Sequence, residues 1–131
     1  MKIPILTLNT PNKNKRIYPR EVMEKALQKY RDEYVSKSRS IVTCTPPTEF
    51  ETDLTDAVGI VKEIIIVDNT VIGELHLFKL PKAESVEEAI NSGKLHMRTA
   101  GIGKMTEQAD GTFKIEDGYE IISCFLTDDP A

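Results

Sequence analysis

The 131-residue sequence predicts an α+β fold: a small, mainly antiparallel curved sheet or barrel with two flanking helices. Three features carry that expectation. Apolar residues recur at helical spacing in two scattered stretches, too few for a doubly wound sheet. The other apolar runs are short, rich in β-branched residues, and joined by hairpin-like links such as Asp68-Asn69 and Asp110-Gly111. Glycines interrupt these runs at Gly59, Gly73, Gly101 and Gly103, as strands do where a sheet bends.

The elements follow in order. Residues 2–7 form a short apolar run, and Pro4, which has no amide hydrogen to donate, makes it an edge strand. Residues 9–15 are a polar loop. Pro19 suits the first position of a helix. Val22, Met23, Ala26, Leu27, Tyr30 and Tyr34 then recur at helical spacing, predicting a helix over 19–34. Its outer face would carry Arg20, Glu24, Lys25, Gln28, Arg31 and Asp32. A short strand at 41–44 precedes Pro46 and Pro47, which keep 45–48 extended or turned. Strands at 57–67 and 71–78 flank the Asp68-Asn69 turn, and Pro81 ends the second. Ser85 and Glu88 have the spacing of a capping box at the start of a second helix, and Gly93 is a natural stop for it. Strands at 95–102, 104–108, 113–116 and 119–126 complete the chain, in a single domain spanning 1–131.

Composition narrows the partners. Apolar residues are 40% and charged residues 29%, a globular balance in a chain long enough for one core. The net charge of −4 leaves no basic excess for phosphates, so no nucleic-acid partner is expected. No apolar run approaches the roughly 18 residues of a membrane span, and the alternating N-terminus does not read as a signal peptide. Cys44 and Cys124 make neither a disulfide framework nor a metal cluster. Both fall in strands and read as structural thiols. No cofactor is expected.

Few residues could carry chemistry. Glu74 and His76 share a strand face and could form an oriented acid–imidazole pair, although a solvated strand face is the ordinary reading. His96 shares a face with Arg98, and alternation points Thr99 away, which argues against a local His96–Thr99 pair. Gly101-Ile102-Gly103 precedes no helix and lacks a third glycine, so a sheet corner is a better reading than a nucleotide loop. Glu49, Glu51, Asp53 and Asp56 gather in one loop with no balancing base. They lack the spacing of a calcium loop, and a solvated or interface loop is the default.

The stretch Asn12-Lys13-Asn14-Lys15-Arg16-Ile17-Tyr18-Pro19-Arg20-Glu21-Val22 resembles the opening of the prohead maturation proteases of tailed bacteriophages. These serine proteases are similar in fold to herpesvirus assemblin, and typically run Asn-x-Asn-Gly-Arg-x-Tyr-Pro into a helix. Val58 to Glu63 and Val71 to Leu75 look like their central hairpin, and Gly101-Ile102-Gly103 and Asp129-Pro130-Ala131 like the ends of their last blocks. The likeness covers nearly the whole chain and implies the fold and a viral setting.

The departures fall on the residues of the reaction. The family's catalytic histidine ends a short strand, where this chain has Thr45. Its nucleophile lies in Ser-Ser-Arg-Gly-x-Gly. Aligned on Gly101 and Gly103, that position is Arg98, and the following serine is Thr99. The acid expected near the C-terminus falls at Phe125. The resemblance therefore implies a catalytically inactive relative: a non-enzymatic virion protein, auxiliary or decorative in the capsid. The expected partners are the major capsid protein or other head proteins, with a homo-oligomer also open. Contact would run through Glu49, Glu51, Asp53 and Asp56 and through exposed edges such as 2–7. Its place would be the virion, and the host cytoplasm during assembly. Two alternatives stand beside this one: an active protease with a shifted site, Thr99 with His76 or His96, and a regulator that binds a phage protease or a host factor.

Overall fold

Strand pairing follows the apolar alternation closely in the computed structural model, which describes residues 1–44 and 56–129. The elements are β1 (Lys2–Thr7), β2 (Arg16–Ile17), α1 (Arg20–Tyr30), β3 (Ile41–Thr43), β4 (Ala57–Val67), β5 (Thr70–Leu77), α2 (Ala83–Asn91), β6 (His96–Ile102), β7 (Met105–Glu107), β8 (Phe113–Ile115) and β9 (Glu120–Thr127). Six strands form one sheet in the order β1-β5-β4-β3-β9-β6, and β2-β8-β7 form a second, smaller sheet. The two edge strands of the large sheet, β1 and β6, approach within 8 Å (Cα–Cα), so the sheet curls toward closure as the strand glycines foretell. Gly73 makes that approach possible. A Cβ there would lie 2.8 Å from Met97 Cε and 3.1 Å from Ile5 Cδ1, so any larger residue makes the ends of both side chains shift.

The interior is one cluster. Val42, Val58, Val61, Ile64, Val71, Leu75, Met97 and Leu126 come from the sheet, and Met23, Ala26, Leu27 and Tyr30 from α1. The α1 side chains are those that the helical spacing selects. Each fully buried aliphatic side chain contributes about 1.5–3 kcal/mol relative to exposure. The Tyr30 hydroxyl is buried with them and bonds Ser40 Oγ, so it enters the core with a partner.

The pattern departs from the sequence expectation in four places. The regular α-helix ends at Tyr30, and a π-helical turn, Arg31–Val35, continues it. The Arg31 guanidinium donates to the Ile64 carbonyl at 2.8 Å, tying that turn to β4. Ser85 does not cap α2: the helix begins at Ala83, whose amide bonds the Leu80 carbonyl, and has no side-chain cap. Two pairings are parallel, β3 with β9 and β2 with β8. The first fits the burial of β9 on both faces over Ile121 to Leu126, Ser123 included, which suits a central place in the sheet rather than an edge. The second involves β2, which is too short to read from alternation.

Candidate functional site

Sheet register brings the divergent family positions together. Thr43 on β3 is the Cα partner of Phe125 on β9, and Phe125 is the partner of Arg98 on β6. Residues paired in this way share a face. Thr45 itself lies outside the described residues. The neighbouring row, Val42, Cys124 and Thr99, points to the other face.

A cavity of about 340 Å³ lies between this part of the large sheet and the small one. Arg98, Thr99 and Phe125 line it together with Arg16, Tyr18, Met105, Ile115 and Tyr119. Among its described lining residues there is no histidine. The Arg98 side chain is 22% exposed, and its Nη1 lies 3.5 Å from Asp129 Oδ2 and 3.4 Å from the Asp129 carbonyl. Asp129 also pairs with Lys13, and the Lys13 ammonium holds its carboxyl below the usual range. Phe125 is 7% exposed.

Burial raises the pKa of the Tyr119 phenol well above the ordinary tyrosine value, with Thr99 opposing the shift. The Tyr119 ring meets Tyr18 edge-on, with centroids 5.9 Å apart. It lies across Gly101 and Gly103, where any Cβ would collide with the ring. The Gly-x-Gly expected to mark a sheet corner is thus more specifically the bed of a tyrosine, and the register does shift between Ala100 and Gly101.

The other candidates sit elsewhere. His76 is 3.6 Å from Glu74, as alternation predicts, but His76 lines a different cavity, with Met1 and Glu87, and is more than half exposed. His96 is paired with Thr127 on β9. Neither histidine lines the cavity with Thr99. Cys124 is buried, and burial pushes its thiol up to about 11. Burial also raises the Cys44 thiol, with Asp56 adding to the shift. Of the four loop acids, Glu49, Glu51 and Asp53 lie outside the described residues. Asp56 does not lack a balancing base, since Lys82 Nζ is 3.7 Å away.

Arg16, Tyr18 and Asp129 enter the sequence reading only as parts of resemblance blocks, and Tyr119 only as the start of a strand, with no role assigned to any of them. Arg16 and Tyr18 belong to the first resemblance block, yet their arrival beside β6 depends on the β2–β8 pairing.

Comparison with known proteins now bears on this geometry. Residues 4–125 match the family described as prohead core protein serine protease. Among solved structures, the bacteriophage T4 capsid assembly protease, gp21, superposes with a TM-score of 0.85 at 21% sequence identity, over 97% of this chain and 79% of that one. A search of curated proteins by sequence returns no match. The structural likeness bears on the fold, and the family match spans the small sheet, both helices and the row containing Arg98 and Phe125. With fold, motif order and family match in agreement, the chain belongs to the prohead core protein serine protease family.

Proposed function

We propose that this chain is a non-enzymatic component of a phage head, an auxiliary or decoration protein built on an inactive prohead-protease fold. One observation carries the reading: the positions aligned with the nucleophile and the acid are Arg98 and Phe125, side by side across β6 and β9 at one cavity. A guanidinium stays protonated and has no lone pair to attack a carbonyl. A phenyl ring can neither orient nor stabilise an imidazolium, and the position aligned with the base is Thr45, which cannot replace imidazole near neutral pH. Loss of any one member of such a unit removes most of its rate.

A shifted site on Thr99 finds little support. The Tyr119 phenol that lines the cavity with it is kept protonated by burial, and both histidines lie outside the cavity's described lining. Family membership and the role of the T4 relative in capsid assembly favour partners among head proteins, with a place in the virion or prohead. The contact surface we propose is the acidic stretch Glu49, Glu51, Asp53 and Asp56 with the edge strand β1.

Co-expression with the capsid precursor from the same genome tests the reading. The precursor should remain uncleaved, and mass spectrometry of purified particles should find this chain in many copies. Cleavage abolished by Thr99→Ala together with His76→Ala or His96→Ala would establish an active protease instead. Capture of an active protease from infected cells, with the chain missing from particles, would make it a regulator.

A further inference from the structure

The cavity that has lost its chemistry retains a strong means of recognising an anion. Arg98 from β6 and Arg16 from β2 line the same space, so two permanently charged side chains border one small volume. Guanidinium groups match carboxylates in shape and charge, and their hydrogen bonds to them are among the stronger ones in proteins. Met105, Ile115 and Phe125 supply an apolar wall beside them.

Arg98 already holds a carboxylate of its own chain. The Asp129 carboxylate reaches it at 3.5 Å and the Asp129 carbonyl at 3.4 Å, both longer than a good charged hydrogen bond, while the same carboxylate pairs with Lys13. Asp129 therefore occupies Arg98 weakly and can leave it without losing its other partner. At about 340 Å³ the cavity is at the small end of ligand sites. That volume suits the end of a peptide better than a strand passing through.

We infer that this cavity binds the free C-terminal carboxylate of a partner polypeptide, with Arg98 and Arg16 taking the carboxylate, the last side chain against Met105 and Ile115, and Asp129 as an internal competitor. The inference rests on the reading that Arg98 has taken over the nucleophile's position, and it assigns that position a new role.

Fluorescence anisotropy with the intact chain tests it. The probes are fluorescein-labelled Gly-Ser-Ala-Ser-Ala-Leu with a free C-terminus, its C-terminal amide, and an amidated version ending in Glu. The free acid should bind, and the simple amide should bind at least about tenfold more weakly. Arg98→Met should cost a similar factor, Arg98→Lys should restore part of it, and Asp129→Asn should tighten binding several-fold. Equal binding of acid and amide, no binding of the acid, or an unchanged Kd in Arg98→Met would overturn the inference. Preference for the amidated Glu peptide would also overturn it, in favour of a side-chain reader. An unchanged Kd in Asp129→Asn would remove the competitor. Precursor cleavage and particle composition are read separately, so failure here leaves the capsid reading standing, and an active protease would be detected without these peptides.

Discussion

Lys15 adopts φ 60°, the left-handed region that costs a residue with a Cβ about 1 kcal/mol or more. The family pattern has glycine at this position. The strain persists because the Asn12 side chain accepts amide hydrogens from Asn14 and Arg16 and closes the loop around Lys15. Lys15→Gly should therefore stabilise the fold by about 0.5–1 kcal/mol, read as a higher urea midpoint at unchanged slope. Cys124 is a second residue whose environment makes a prediction. Its thiol ionises near 9.0 when unfolded and near 11 when folded, because burial disfavours the thiolate. Its contribution to stability is complete below pH 9 and is lost as pH rises from 9 to 11. Denaturation midpoints should fall across that window, and Cys124→Ala should remove the part of the fall that begins at pH 9. Buried Tyr30 and Tyr119, also shifted upward, should keep the decline going above pH 10 in both proteins.

At the scale of elements, the two helices respond differently to their sequence signals. In α1 and the turn after it the apolar spacing selects Val22, Met23, Ala26, Leu27, Tyr30 and Tyr34; the helix buries Met23, Ala26, Leu27 and Tyr30, while Val22 and Tyr34 are half-buried. Burial decides such a helix, and Leu27→Ala should cost about 2–5 kcal/mol by thermal or urea unfolding. In α2 the serine–glutamate spacing is an accident of composition. The chain already turns at Leu80, so the helix starts at Ala83 and Ser85 lies inside it. Ser85→Ala should change stability by no more than about 0.5 kcal/mol, where a true N-cap would lose about 1 kcal/mol. A clear loss in that variant would restore the capping box. The π turn after α1 has no sequence signature either; Arg31 reaching the Ile64 carbonyl anchors it.

For the whole molecule, one core joins the curled sheet to α1, so far-ultraviolet and tyrosine near-ultraviolet signals should unfold together in a single transition. Closure of the sheet depends on the gap at Gly73, and Gly73→Val should lower stability by about 1–3 kcal/mol through overpacking against Met97 and Ile5. The sequence by itself determined the α+β class, the long β4–β5 hairpin about Asp68-Asn69, the buried face of α1, and the Glu74–His76 neighbourhood. All of these follow from local periodicity or from residues close in the chain. The divergent site was half legible: Arg98, Thr99 and Phe125 could be named from motif order, but not shown to meet. Only the tertiary structure decided that β9 inserts between β3 and β6, that β2 pairs in parallel with β8, and that Arg16, Tyr18, Tyr119 and Asp129 gather around Arg98. Parallel and long-range pairings join residues a hundred positions apart, and no local period records which apolar face will cover which.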